Sequence, residues 1–104
     1  MSNILKKIID HLNNNQLDVA LNLCEENNER KIENLILNIK GVILFKKQSY
    51  ELAKNEFLKS INLDEKFLDP HKNLFKLNLK LKDYKSAIEN GKNVIQLELS
   101  LIHI

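Results

Sequence analysis

The stretch QSYELAKNEF (residues 48–57) decides the fold, because the chain contains nearly the same ten residues three times. KDYKSAIENG begins 34 residues later, at residue 82, and NQLDVALNLC begins 33 residues earlier, at residue 15. Each copy has alanine as its sixth residue. Self-similarity at this period is the sequence signature of a repeat array built from pairs of helices.

Helical spacing of apolar residues along the whole chain predicts six helices and no strands. The polar run NNNQ (residues 13–16) separates the first two helices, and the third is expected over residues 31–47. The connections are two to six residues long, so successive helices should be antiparallel neighbours. Start signals are predicted at Ser49 for the fourth helix, at Asp69 before Pro70 for the fifth, and at Asp83 for the sixth.

Composition limits the class of protein. The 104 residues suffice for one domain, and the net charge of +2 is too small to require nucleic acid or an anionic membrane as a partner. The lone cysteine excludes an intrachain disulfide and is typical of a reducing compartment. No apolar run approaches a membrane span, so we expect a cytoplasmic protein with no membrane partner. We also expect a bacterial protein, and the single arginine and modest net charge favour no nucleic acid partner.

The middle copy (residues 34–67) resembles the tetratricopeptide repeat (TPR) family, with large, small and aromatic residues where that pattern places them. These are Leu37, Gly41, Leu44, Tyr50, Ala53, Phe57, Ser60 and Leu63. Residues 68–101 match less closely, and residues 1–33 least. The resemblance implies one all-α domain over residues 1–104, a right-handed superhelix of three antiparallel helix pairs that acts as a protein-interaction module.

Two small residues are expected where helices cross closely. Gly41 should lie against Ala53, because two helices approach only where one offers a small side chain. In the third copy Phe75 stands where the family has a small residue and Gly91 where it has a large one. We therefore predict that the Phe75 ring fills the space above Gly91.

No residues are spaced for catalysis or metal binding. The three histidines are far in sequence from other soft ligands, and two glycines are too few for a phosphate-binding loop. His11 and Cys24 could form a nucleophilic dyad within the first repeat, but packing roles are the simpler interpretation. The sequence thus predicts no enzyme activity, no metal and no cofactor.

The resemblance implies that the first helix of each pair lines a concave groove. Lys72, Lys76 and Lys80 form an i, i+4, i+8 series that would give this groove a cationic end. We expect the groove to bind a peptide or helical segment with apolar and acidic groups. The expected groove residues are Leu5, Ile9, Asn38, Val42, Phe45, Lys72, Asn73, Lys76 and Lys80, with Leu12, Lys46 and Leu79 as further candidates. A plain solvated lysine face is the alternative.

The end of the chain, VIQLELSLIHI (residues 94–104), has apolar residues on nearly every helical face. Such surface usually meets a partner, which favours a homodimer through the C-terminal helix. The expected self-association residues are Val94, Leu97, Leu101, Ile102 and Ile104. Two alternatives stay open: a regulatory or targeting fragment of a larger bacterial enzyme, such as a sulfotransferase or glycosyltransferase, and a pure homo-oligomerisation unit.

Overall fold

The computed structural model describes residues 3–102, which form six α-helices and one short 3-10 turn, without a strand in that range. The helices are α1 (Asn3–Asn13), α2 (Leu17–Glu26), α3 (Glu33–Lys46), α4 (Tyr50–Leu63), α5 (Leu68–Lys80) and α6 (Tyr84–Ile102). Each helix packs against the next along the chain, and α3 also contacts α5. The predicted all-α, TPR-like fold is confirmed. The third helix begins two residues later than expected, because Arg30–Ile32 form the 3-10 turn.

The turn inside each helix pair has the same geometry in all three pairs. One residue in each adopts a left-handed backbone: Asn15 (φ 58°), Gln48 (φ 64°) and Lys82 (φ 62°). The next amide donates back to a carbonyl five residues earlier: Gln16 to His11 (2.8 Å), Ser49 to Leu44 (2.9 Å) and Asp83 to Asn78 (2.9 Å). This is the Schellman pattern that ends a helix and satisfies its last carbonyls. The repeated stretch of sequence thus encodes a repeated helix-terminating turn.

The predicted helix starts have different outcomes. Asp83 caps α6, since its Oδ1 accepts a hydrogen bond from the backbone N–H of Ser86 at 3.2 Å. Ser49 occupies the N-cap position of α4, but its side chain makes no capping hydrogen bond. The capping energy that a serine hydroxyl usually contributes is therefore absent at α4.

The predicted start of α5 at Asp69 was wrong. The helix begins at Leu68, and the extended residue Phe67 takes the N-cap position. Asp69 and Pro70 therefore lie inside the first turn. Proline is tolerated there because first-turn amides have no intrahelical acceptor, and an acidic side chain there favours the positive end of the helix dipole.

The core consists of two apolar clusters that follow one another along the array. The first joins α1, α2 and α3 through Leu5, Ile8, Ala20, Cys24, Ile36 and Ile43. The second joins α3, α4 and α5 through Leu44, Ala53, Phe57, Leu74 and Leu77. Within the described part of α6 only Ala87 is buried. The last helix therefore leaves most of its apolar residues outside the core.

Both glycines lie beneath a phenylalanine ring. A methyl carbon added to Gly41 would lie 2.6 Å from Cδ1 and 2.9 Å from Cζ of Phe57, so the atoms nearest to that position belong to Phe57. The expected approach of Gly41 to Ala53 stays a prediction. At Gly91 the same methyl carbon would lie 3.4 Å from Cε1 of Phe75. The predicted placement of Phe75 over Gly91 is therefore confirmed.

Candidate functional site

Five of the expected binding residues line one groove, which lies between α3 and α5. Val42 and Phe45 of α3 line it together with Asn73 and Lys76 of α5, and Lys46 and the ring of Phe57 complete its wall and floor. Its volume is about 230 Å³. Drug-sized molecules occupy clefts of about 300–1,000 Å³, so this groove has room for one apolar side chain rather than a whole small molecule.

Two contacts hold the lining side chains of this groove in place. Asn73 donates from Nδ2 to Oδ1 of Asn38 at 2.9 Å, which ties α5 to α3 at the groove. Asn38 is itself buried, so it acts beneath Asn73 rather than at the surface. The Phe45 ring meets Tyr50 edge to face, with the ring centroids 5.5 Å apart. Packed and hydrogen-bonded side chains lose little conformational entropy when a ligand binds.

The three lysines of α5 do not act together. Lys76 lines the groove, whereas Lys72 forms an ion pair with Glu98 of α6, Nζ to Oε1 at 3.4 Å. Lys80 is exposed at the last residue of the helix. Each step of four residues turns about 40° around a helix of 3.6 residues per turn. The direction therefore changes by about 40° from Lys72 to Lys76, which separates Lys72 from the groove.

Of the remaining expected groove residues, Leu79 is exposed on α5, and the others lie in the first repeat, where Leu12 packs against the first core cluster. Leu5 is buried in the first core cluster, and Ile9 is half-buried and packs against the same cluster. The groove residues that the structure brings together therefore come from the second and third repeats. Phe57 was expected only as a packing residue, and its role as the groove floor arises because Gly41 lets the ring approach α3 closely.

The structure gives Cys24 the properties of a core residue. Burial raises the pKa of its thiol to about 11, with smaller opposing and supporting effects from Lys40, Glu25 and Glu56. A thiol with so high a pKa stays protonated at neutral pH and is a poor nucleophile. His11 donates from Nδ1 to Oε1 of Gln16 at 2.6 Å, within its own turn. Among residues 3–102 no group of three histidine, cysteine or acidic side chains is placed to hold a metal ion.

The residues expected to mediate self-association fall into two sets. Val94 and Leu97 are half-buried, and Leu97 lines a cleft with Ile61 and His71. Leu101 and Ile102 are exposed, while Ile104 lies outside the described residues. Ile88, Ile95 and Leu99 are exposed as well and were not among those expected residues. Sequence alone could not separate the faces, because apolar residues occur all around this helix.

None of the helices described in the structure combines the length and the apolar character that crossing a membrane requires.

The helix pairs and their repeated Schellman turns define a TPR-like helical repeat fold. Among solved structures the chain is similar to a double mutant of MamA RS-1, with a TM-score of 0.84 and 22% identity over 94% of this chain and 56% of the other. It is also similar to residues 41 to the end of MamA from Desulfovibrio magneticus RS-1, with a TM-score of 0.81 and 22% identity over 93% and 55%. The chain thus spans about half of each solved structure.

At this identity the likeness concerns the fold alone. No protein family matches the chain by its sequence profile, and no curated protein matches its sequence.

Proposed function

We propose that residues 1–104 form one three-repeat domain, a non-catalytic module that binds a segment of a partner protein in the groove between α3 and α5. The observation that carries this proposal is the convergence of Val42, Phe45, Asn73 and Lys76, from two repeats, on one small groove. Tetratricopeptide-like arrays use such concave surfaces for recognition.

The chemistry of the groove supports, as the ligand, a peptide or helix with an apolar side chain beside an acidic group. Val42, Phe45 and Phe57 provide an apolar surface for one side chain. Lys46 and Lys76 supply two positive charges at the same groove, and a carboxylate on the ligand would pair with them. Oδ1 of Asn73 provides an acceptor for a peptide N–H, since its Nδ2 is already bonded to Asn38.

The proposal is tested with a panel of fluorescent twelve-residue peptides that each contain one leucine or phenylalanine flanked by glutamates, read by fluorescence polarisation. Lys76→Glu should raise the Kd at least tenfold, about 1.4 kcal/mol, because it places like charges together in the groove. Lys85→Glu is the matched control, since it changes the same charge on an exposed lysine of α6 outside the groove.

Two results would contradict the proposal, the first for the groove and the second for the charge of its ligand. Equal weakening by Lys76→Glu and Lys85→Glu would mean that the peptides respond only to net charge. Failure of every acidic peptide to bind the unaltered chain, while peptides with lysine in place of glutamate do bind, would reverse the expected charge preference of the ligand.

Self-association through the C-terminal helix is a second candidate function. The exposure of Ile95, Leu99, Leu101 and Ile102 on one helix favours it, because apolar patches of this kind usually meet a partner. A regulatory or targeting role within a larger bacterial enzyme is compatible with the same fold. We expect a cytoplasmic protein without a nucleic acid partner, given its single arginine and small net charge.

A further inference from the structure

An apolar stripe runs along one exposed face of α6, with a gap at Gly91. Its residues are between 58% and 78% exposed: Tyr84, Ile88, Ile95, Leu99 and Ile102. Steps of four, seven, four and three residues keep them on one face of a helix. We call these five residues the α6 stripe.

The repeat period relates the centre of the α6 stripe to a packed position in α4. Ile95 lies 34 residues after Ile61 of α4. Ile61 packs against the second core cluster, to which α5 contributes Leu74 and Leu77. The equivalent position in α4 is therefore packed against the core, whereas Ile95 is 61% exposed. Ile95, at the centre of the α6 stripe, thus occupies a repeat position that is packed in α4 and exposed in α6.

The other end of the chain is not complementary to the α6 stripe. Ile36, Ile39 and Ile43 of α3 pack into the first core cluster, alongside Ala20 and Cys24 of α2. The residues 33 positions earlier, on α1, are all polar and exposed: Asn3, Lys6 and Asp10. Head-to-tail stacking of α1 of one copy on α6 of another would bury these polar side chains, two of them charged, against apolar ones, at a high desolvation cost.

The α6 stripe is instead complementary to itself about Ile95. Four residues before Ile95 is Gly91, without a side chain, and four residues after it is the large Leu99. Seven residues before and after it are Ile88 and Ile102. When two antiparallel copies are centred on Ile95, Leu99 of each copy lies opposite Gly91 of the other. A large side chain therefore meets a gap at two places in the contact. A methyl carbon added to Gly91 would lie 3.4 Å from Cε1 of Phe75, so this half-buried ring forms the floor of that gap.

We propose that the α6 stripe binds the α6 stripe of a second copy of this chain, antiparallel, around a two-fold axis near Ile95. This arrangement is isologous, so it closes at a dimer and does not extend into a filament. It rests on the self-association candidate above and adds the face, the direction and the symmetry of the contact.

The first test measures solution mass by light scattering from micromolar to millimolar protein. The unaltered chain should reach the mass of a dimer and no more. Ile95→Glu should weaken dimerisation at least tenfold, because it places two carboxylates together on the axis. Leu52→Glu is the matched control: Leu52 is 57% exposed on α4, outside the α6 stripe, and its replacement should leave the mass unchanged. A monomer at every concentration would overturn self-association altogether.

A second test isolates the symmetry by disulfide cross-linking. Ile95→Cys should form a covalent dimer on mild oxidation, since residue 95 of one chain lies next to residue 95 of the second chain at the two-fold axis. The native thiol does not compete, because Cys24 is buried. Ile88→Cys alone should not cross-link, as the two copies of residue 88 would be 14 residues, about 21 Å, apart along the helices. A mixture of Ile88→Cys and Ile102→Cys chains should cross-link.

The outcomes distinguish self-association in general from the antiparallel contact around Ile95. A dimer that survives Ile95→Glu, or one in which Ile88→Cys cross-links with itself, would retain self-association but overturn this contact. A mass that grows without limit would mean heterologous stacking and would also overturn it.

Discussion

The two helix glycines should respond in opposite directions to the same substitution. Alanine in place of glycine within a helix stabilises by about 0.5–1 kcal/mol when nothing else changes. At Gly41 the added methyl carbon would lie 2.6 Å from Cδ1 of Phe57, about 1 Å inside normal contact. The Phe57 ring is 1% exposed and packs in the second core cluster, so it can shift only towards the groove whose floor it forms. Overpacking of this kind costs about 1–3 kcal/mol, so we expect Gly41→Ala to lower the free energy of unfolding by about 1–2 kcal/mol.

Gly91→Ala is the matched comparison. Here the added methyl carbon would lie 3.4 Å and 3.5 Å from Cε1 and Cδ1 of Phe75, which is ordinary contact, and this ring is only half-buried. The helix-propensity gain should therefore remain, raising the free energy of unfolding by about 0.5–1 kcal/mol. The larger Gly91→Phe should lower it by about 1–3 kcal/mol or more through overpacking.

Urea unfolding followed by circular dichroism measures both changes, with the slope of the transition unchanged and the protein dilute enough to be monomeric. A second variant identifies the cause: Phe57→Leu should destabilise alone yet reduce the cost of Gly41→Ala, giving a favourable coupling energy in a double-mutant cycle. The reasoning fails if Gly41→Ala is as stable as the unaltered chain, or if the cost is unchanged in the Phe57→Leu background.

The left-handed turns and the cap of α6 give two further predictions. A left-handed backbone costs most residues about 1–2 kcal/mol. Lys82→Gly should therefore raise the free energy of unfolding by a net of about 0.5–1 kcal/mol, which corresponds to a rise in Tm of about 2–8 °C. Asn15→Gly should gain less, because asparagine tolerates this conformation, and an equal gain for the two variants would count against the argument. Hydrogen bonds from the Ser86 hydroxyl and backbone N–H lower the pKa of Asp83. Its contribution to stability is therefore present above the unfolded-state pKa and is lost as pH falls through the lower folded-state pKa. A carboxyl NMR titration should show this depressed midpoint, and Ser86→Ala should raise it; a midpoint unaffected by Ser86→Ala would refute the role of the hydroxyl.

Much of the local architecture was predictable because it depends on neighbours in sequence. The helix pairs, the cap at Asp83 and the contact of Phe75 with Gly91 were all predicted from spacing and side-chain size. The misplaced start of α5 shows the limit of local signals. Asp69 before Pro70 is a strong helix start in isolation, but Phe67 and Leu68 take the preceding positions and begin the helix earlier.

The binding site was less predictable, since it depends on the direction of each side chain. The lysine series of α5 follows a helical spacing, yet only Lys76 lines the groove, while Lys72 reaches Glu98 on α6. A rotation of about 40° per step is small within one helix but decides which neighbouring helix a side chain meets. Leu5 likewise occupies a first-helix position, but it lies in the core.

By itself, the sequence determined the class of fold. Its period, its three helix-terminating turns and its alternation of small and large residues are local properties, and each specifies hydrogen bonds or contacts within one or two adjacent helices. Only the tertiary structure decided which apolar residues of α6 are buried and which form the α6 stripe. Apolar side chains surround that helix, so the pattern in the chain has no preferred face. The packing of α6 on α5 covers one face and leaves the other exposed, because a helix can bury only the side that meets its neighbour.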